Sequence, residues 1–213
     1  MPIVIEAGSN VQRYIWFGLA QAGERPGGCV QCGAVGQMVG HGYYRRKPKG
    51  VPPCWVIQIK RWKCKQCGKT VGAVPSCLLF YRHYVLEVIQ EVLVGRSERG
   101  YSWSEMVDQC GAEGAPGRRT MQRWCEGLDQ QAPGWLGVIE KTLAEQNSGS
   151  EWLDVQGEVL RTGTAAQALL HASLHLLAWA KERWQEIASY GLNDRLRFLW
   201  FWGNRRAGQQ RLI

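Results

Sequence analysis

Two copies of one short cysteine motif constrain this chain more than any other feature of its sequence. The pattern Cys-x-x-Cys-Gly begins at Cys29 and again at Cys64, and its second cysteines are Cys32 and Cys67. A gap of two residues lets both thiolates of one motif face the same ion, and the glycine permits the tight turn that follows. The two motifs together therefore predict one structural Zn²⁺ per chain in a tetrahedral site of four thiolates.

Free buried thiols and a redox-active cysteine pair are the alternatives for these motifs. A redox pair needs a single motif at a turn between a strand and a helix, whereas two matched motifs favour shared ligation. We interpret the other cysteines as small buried hydrophobic residues because none of them has a neighbour at ligand spacing. These residues are Cys54, Cys77, Cys110 and Cys125.

The segment between the two motifs has the pattern of a β-hairpin. Trp55, Ile57 and Ile59 alternate with other residues at the period of a strand, residues 41–46 form the predicted partner, and residues 47–53 form the turn. Two zinc knuckles that bracket a hairpin make a zinc ribbon. Because so small a module buries little surface, metal binding would supply its folding free energy, about 10 kcal/mol or more.

Basic residues are concentrated at the two ends of the chain. Residues 1–82 contain 12 basic and two acidic residues, whereas residues 83–194 contain nine basic and 16 acidic residues. The last 19 residues contain five basic residues and no acidic one, and the net charge of the whole chain is +8. Cations crowded without acids repel one another unless a polyanion neutralises them, which predicts phosphate contacts and nucleic-acid binding. The predicted contacts on the ribbon are Arg45, Arg46, Lys47, Lys49, Lys60, Lys63, Lys65 and Lys69, and Arg61 lies among them.

Aromatic residues are interleaved with these cations. Tyr43, Tyr44 and Trp62 are candidates for stacking on unpaired bases. The alternative is that aromatic residues fill the small core of the ribbon, and for Trp55 this interpretation is favoured. A run of charge is also often only a solvated face, although acids normally accompany bases there.

The middle of the chain has the pattern of a helix-turn-helix. An amphipathic helix over residues 85–93 closes at Gly95, and a capping box from Ser102 to Glu105 begins a short helix that ends near residue 110. A glycine-containing turn over residues 111–117 leads to a third helix over residues 118–128.

The N-terminal end of this third helix carries residue types that can read base edges in a major groove. The predicted contacts there are Arg118, Arg119, Thr120, Gln122 and Arg123. Because the preceding turn is longer than usual, an αα-hairpin with a solvated basic face is the alternative.

The last third of the chain is predicted to be helical. Residues 132–134 are expected to break the chain, residues 146–150 to form a linker, and Thr164 to cap a long helix. His171 and His175 have a spacing that can bind a metal, but without a third ligand we interpret them as core or surface histidines. For the aromatic segment 195–202 we favour a helix docked on the bundle over a protein-partner contact or an interfacial membrane helix.

Four stretches of this sequence resemble a bacterial family of short proteins related to the zinc-ribbon and helix-turn-helix front ends of insertion-sequence transposases. They are Cys29-x-x-Cys32-Gly, His41-Gly-Tyr-Tyr-Arg45, Arg61-x-Lys-Cys64-x-x-Cys67-Gly-Lys-Thr70 and Val74-Pro-Ser-Cys-Leu-Leu79 with Tyr81-Arg82. The resemblance covers residues 26–127. It implies that the four cysteines bind zinc, that the module grips DNA at element ends, and that residues 118–124 lie in the reading helix.

No catalytic centre is evident in the sequence. Transposase chemistry needs carboxylates that hold two metal ions, but no aspartate falls on a predicted strand. The aspartates are Asp108, Asp129, Asp154 and Asp194. We therefore expect a protein that is not an enzyme, with a nuclease of an unfamiliar kind as a weak alternative. No uninterrupted apolar run reaches 18 residues and no basic leader is present, so a cytoplasmic, nucleoid-associated protein without membrane contact is expected.

The sequence as a whole predicts an α+β protein in three parts. These are a zinc-ribbon domain over residues 1–82, a helix-turn-helix region over 83–131 and a helical region over 132–213 that binds a protein partner. The expected function is that of a zinc-dependent DNA-binding accessory or regulatory protein related to mobile-element transposases. The alternatives are an RNA-binding component of a ribonucleoprotein and a zinc-ribbon adaptor between proteins.

Overall fold

The chain folds into two compact units, which cover residues Met1–Val85 and Leu86–Ile213. This computed structural model describes residues 3–6, 10–18, 22–50, 55–110, 114–145, 163–188 and 190–206. The described part of the first unit is built on a small sheet and that of the second on helices, so the predicted α+β class is confirmed. None of the helices in these ranges combines the length and the apolar character that crossing a bilayer requires.

A four-stranded sheet forms the centre of the N-terminal unit. Its strands are β1 (Ile3–Ile5), β2 (Met38–Arg46), β3 (Ile57–Cys64) and β4 (Thr70–Pro75), in the order β1-β4-β3-β2. β1 runs parallel to β4, and the other neighbours are antiparallel. The predicted hairpin is therefore confirmed as β2–β3, and the structure extends it with two further strands.

Strand β3 buries residues on both faces of this sheet. On the face that we call the front, Trp62 and Cys64 belong to a cluster with Met38 and Val71. On the opposite, back face, β3 buries Ile57 and Ile59. The alternation predicted from the sequence therefore holds only for the first half of the strand, because the buried positions change face after Ile59.

A short helical segment precedes the first cysteine motif. It consists of α1 (Val11–Arg13), which Asn10 caps, and a π-helical turn (Tyr14–Gly18). The hydroxyl of the buried Tyr14 donates a hydrogen bond to the carbonyl oxygen of Gln58, at 2.8 Å. This bond connects the helical segment to strand β3.

Helices of the C-terminal unit pack around a shared apolar core. They are α2 (Leu86–Ser97), α3 (Trp103–Gln109), α4 (Arg118–Glu145), α5 (Ala165–Lys181) and α6 (Arg195–Arg206). α4 and α6 both pack against α5 and α2. The capping box predicted at Ser102 is present, and Thr164 caps α5 as predicted, in a capping box with Gln167, so the starts of α3 and α5 are confirmed.

Two predicted helix ends are wrong. Helix α4 continues through Pro133 to Glu145, so the boundary predicted between residues 131 and 132 falls inside it. Its buried stripe of Leu128, Ala132, Trp135 and Ile139 runs past the proline, and burial of these side chains outweighs the roughly 3 kcal/mol that an interior proline costs.

Gly95 does not end helix α2, which continues to Ser97. A side chain at Gly95 would meet the sulfur of Met106 at 2.5 Å, so this glycine provides close packing. The left-handed backbone after the helix belongs to Gly100, with a φ of 70°.

The aromatic segment near the C-terminus is docked on the bundle, as predicted. Phe198 and Trp200 of α6 are buried, and the first residue of the helix, Arg195, is only 4% exposed. The Arg195 guanidinium donates two hydrogen bonds to the carboxylate of Glu98, at 2.8 and 2.6 Å. The side-chain oxygen of Gln90 accepts the backbone N–H of Leu196, which satisfies a donor at the start of α6.

Helix α6 approaches α4 so closely that Gly203 has no room for a side chain. An added Cβ would lie 1.9 Å from the ring of Trp135. We expect Gly203→Ala to lower the free energy of unfolding by about 3 kcal/mol. The matched control is Gly137→Ala on the open side of α4, where a Cβ meets nothing within 4 Å and helix propensity should add about 0.5–1 kcal/mol. Urea denaturation followed by circular dichroism measures both changes, and equal stabilities would contradict this packing.

Candidate metal centre

The first cysteine motif folds into a tight turn closed by two backbone hydrogen bonds. The N–H of Gly33 donates to the carbonyl of Cys29, at 2.8 Å, and the N–H of Cys29 donates to the carbonyl of Ala34, at 3.0 Å. Gly33 has a φ of 73°. This left-handed conformation costs a residue with a Cβ about 1–2 kcal/mol, which explains the glycine after the second cysteine.

The second motif repeats the same turn. The N–H of Gly68 donates to the carbonyl of Cys64, at 3.0 Å, and the N–H of Cys64 donates to the carbonyl of Lys69, at 2.9 Å. Gly68 has a φ of 70°, close to that of Gly33. The matched sequences therefore produce matched backbone geometry, which aims both pairs of thiols in equivalent ways.

The four sulfur atoms of the two turns converge. The Sγ atoms of Cys29 and Cys67 are 3.7 Å apart, those of Cys32 and Cys64 are 3.8 Å apart, and all four lie within 4.8 Å of one another. A disulfide needs about 2.05 Å, so these are free thiols. Four sulfurs placed tetrahedrally at about 2.3 Å from one ion lie about 3.8 Å apart. The arrangement is thus compatible with a single structural metal site, as the spacing predicted.

Protonation of the thiols is coupled to the turn geometry. The backbone N–H groups of Gln31 and Cys32 stabilise the Cys29 thiolate and lower its pKa to about 7. The N–H of Ala34 acts in the same direction on Cys32, but desolvation and the neighbouring thiols raise the pKa of Cys32 to about 12. Without a cation the cluster therefore retains protons, and a divalent ion would displace them on binding.

Among the residues that the structure describes, this cluster is the only group of three or more His, Cys, Asp or Glu side chains that could hold one metal ion. The rings of His171 and His175 pack edge to face with centroids 4.7 Å apart, and the interpretation that they bind no metal stays a prediction. Cys77 is buried, as predicted, whereas Cys110 and Cys125 are half-buried. Cys54 lies outside the described residues.

The cations predicted to bind nucleic acid lie on several surfaces. By register and alternation, Arg45 and Lys60 belong to the front face of the sheet, whereas Arg46, Arg61 and Lys63 belong to the back face. The remaining ribbon cations lie in the loops, and all of these are exposed: Lys47, Lys49, Lys65 and Lys69. The structure therefore surrounds the ribbon with positive charge.

Three of these cations make specific internal contacts, and one of them is Lys49, whose ammonium lies 5.8 Å from the ring centroid of Tyr84. The ammonium of Lys60 lies 4.5 Å from the ring centroid of Tyr43 and 5.2 Å from that of Trp62, which are cation–π distances. The guanidinium of Arg46 donates hydrogen bonds to the carbonyls of Leu79, at 2.8 Å, and Arg82. Arg46 thus has an internal role that the sequence did not predict.

Helix α4 begins at Arg118, as predicted. Arg118, Arg119 and Arg123 are exposed, whereas Thr120 and Gln122 are half-buried. The first turn contains no acidic residue, although the positive end of a helix dipole favours acids there. The connection from α3 includes residues 111–113, which lie outside the described ranges, so the helix-turn-helix itself stays a prediction.

The model of one protein family, described as a domain of unknown function (DUF6431), matches residues 29–124. The match starts at the first cysteine of the metal cluster, includes all four, and extends into the second turn of α4. It covers less than half of the chain. No curated protein and no solved structure gives a significant match.

Loss of one thiol should abolish tight metal binding. We expect Cys32→Ser, chosen because Cys32 is exposed and contributes little packing, to weaken metal affinity by more than about 100-fold, since loss of an outer-shell partner alone costs 10- to 100-fold. Cys110→Ser is the control, because this half-buried thiol lies in the C-terminal unit. Elemental analysis and chelator competition measure both. An affinity of Cys32→Ser for the metal equal to that of the wild-type chain in chelator competition would contradict four-thiolate ligation.

Proposed function

We propose that this chain is a zinc-dependent nucleic-acid-binding protein, with DNA favoured over RNA, that acts as an accessory or regulatory protein related to mobile-element transposases. The observation that carries this proposal is the charge of the module built on the metal centre. Residues 25–82 contain 11 lysines and arginines and no acidic residue. Such a density of one sign of charge favours association with a polyanion.

Zinc is the proposed ion because of the donor set. Four thiolates at tetrahedral spacing suit Zn²⁺, which has no redox chemistry and imposes no other geometry. The ion would act structurally, since four protein ligands leave no open position for a substrate.

The exposed cations would contact phosphates from several directions. Lys65 lies within the second knuckle and Lys69 directly after its glycine, so the ion would fix the turn that carries them. Lys47 and Lys49 follow strand β2 and are exposed as well. Contacts between cations and the phosphates of a nucleic acid give affinity and fix the position of the protein, but they do not depend on the base sequence.

Helix α4 supports DNA over RNA in this proposal. The N-terminal end of this long helix is basic because it carries three exposed arginines, Arg118, Arg119 and Arg123. Helices that enter a major groove have such an end. The deep, narrow major groove of an RNA duplex does not admit such a helix. The resemblance to transposase front ends points in the same direction. For the C-terminal unit we propose a protein partner, which would use surfaces other than the buried aromatic residues of α6.

The salt dependence of DNA binding tests this proposal. Neutralising Lys65 and Lys69 together as Lys65→Gln/Lys69→Gln should lower affinity for a mixed-sequence duplex and reduce the slope of log affinity against log salt by about 1.8, since each phosphate contact contributes about 0.9. Metal content should not change, because only the backbone of Lys69 bonds to Cys64. Lys141→Gln, which neutralises a single exposed lysine of α4 outside the ribbon, is the control, and its slope should not change.

Fluorescence anisotropy over a range of salt concentrations measures both slopes. A chain that binds neither duplex DNA nor RNA at about 0.1 M salt would contradict the proposal, because phosphate contacts act at that ionic strength. Tighter binding of structured RNA than of duplex DNA would favour the ribonucleoprotein alternative.

A further inference from the structure

Tyr81 combines a strained backbone with an exposed ring. Among the residues that the structure describes, Tyr81 is the only one other than glycine with a positive φ, which is 60°. Bulky side chains rarely adopt this conformation, because Cβ crowds the backbone. Yet 75% of the Tyr81 surface is exposed, so burial of the ring does not compensate for the strain. Backbone strain at an exposed residue is a reason to look for a function.

Arg46 holds the turn that carries Tyr81. Its guanidinium donates to the carbonyl of Leu79, at 2.8 Å, and to that of Arg82, so it spans the residues on either side of the tyrosine. These are charge-assisted hydrogen bonds, which are stronger than neutral ones. The turn is therefore fixed from strand β2, and the ring of Tyr81 projects from a rigid support.

A second tyrosine lies on the face of the sheet from which Arg46 holds this turn. Tyr44 is two residues before Arg46 in β2, is 38% exposed, and belongs with Arg46 to the back face. Its ring lies over Gly72, where an added Cβ would be 3.2 Å from Cε1. Burial raises the pKa of Tyr44, whereas Arg46 and Arg61 oppose this shift and the Tyr81 phenol adds to it. Tyr44 and the turn that carries Tyr81 therefore lie at the same end of the back face of β2.

The back face also supplies cations around these rings. Arg61 lies opposite Gly72 in the sheet, and Lys63, two residues further along β3, is exposed on the same face. No acidic residue occurs between residues 25 and 82 to oppose them. We call Tyr44, Tyr81, Arg61 and Lys63 the tyrosine patch.

We propose that the tyrosine patch binds single-stranded DNA, with an unpaired base stacked on Tyr81 and the adjoining phosphates on Arg61 and Lys63. This inference rests on the proposed nucleic-acid binding and specifies which form of DNA this surface takes. Stacking on aromatic rings accepts any base, because every base has a π-face, and it requires that the base is not already paired. A fixed, exposed ring loses little freedom when a base stacks on it.

Binding of one oligonucleotide in single-stranded and duplex form, by the full metal-loaded chain, tests this inference. Tyr81→Gly removes the ring and relieves the strain, so it should raise the unfolding midpoint while it weakens single-strand binding by roughly tenfold or more. Duplex affinity should stay within about twofold, since phosphate contacts are kept. Tyr43→Leu tests the other face: Tyr43, also a stacking candidate from the sequence, is 49% exposed beside Lys60 on the front face, and its loss should leave single-strand affinity unchanged if the back face is the site.

A 2-aminopurine base in the strand reports stacking directly. Its fluorescence should change on binding to the wild-type chain and not to Tyr81→Gly. The inference about the tyrosine patch is overturned if Tyr81→Gly leaves single-strand affinity unchanged, or if Tyr43→Leu lowers it by as much as Tyr81→Gly does. In either case, binding of duplex DNA would leave the proposed function standing. Absence of all nucleic-acid binding overturns both. Tighter binding of the same strand made as RNA contradicts the assignment to DNA.

Discussion

Convergence of four thiols from two distant turns is the interaction on which the N-terminal unit depends. The two short sulfur–sulfur distances are between cysteines of different motifs, Cys29 with Cys67 and Cys32 with Cys64. An ion bound among these thiols would therefore cross-link segments more than 30 residues apart in sequence. The apolar cluster beside the site is small and includes two of the ligands themselves, Cys29 and Cys64. In a module of this kind the free energy of metal binding is largely the free energy of folding.

This source of stability explains why the N-terminal unit tolerates its charge. Its cations lie on both faces of the sheet and in the loops, where mutual repulsion opposes folding. The C-terminal unit is stabilised differently, by an apolar core and by pairs such as Arg195 with Glu98, at 2.6 Å. The first unit therefore leaves most of its described cations exposed, whereas the second pairs some of its charges within its own core, as Arg195 does with Glu98.

Features set by local spacing were predictable from the sequence, and features set by distant contacts were not. The cysteine motifs and the capping boxes at Ser102 and Thr164 depend on residues a few positions apart. The chain break predicted at Pro133 is wrong because side chains on both sides of the proline are buried against other helices, which keeps α4 continuous. The local sequence pattern carries no information on this tertiary burial. The roles of Arg46 and Tyr81 depend on contacts between strand β2 and a turn more than 30 residues later, and nothing in the sequence marks a strained tyrosine.

Hydrogen–deuterium exchange before and after removal of the metal by a chelator tests the central claim most directly. If the ion folds the N-terminal unit, peptides from strands β2, β3 and β4 should lose protection when it is removed. Peptides from helices α4, α5 and α6 should keep theirs, since the cysteine cluster is built from Cys29, Cys32, Cys64 and Cys67 of the N-terminal unit. Unchanged protection of the strands in the metal-free chain would contradict the account.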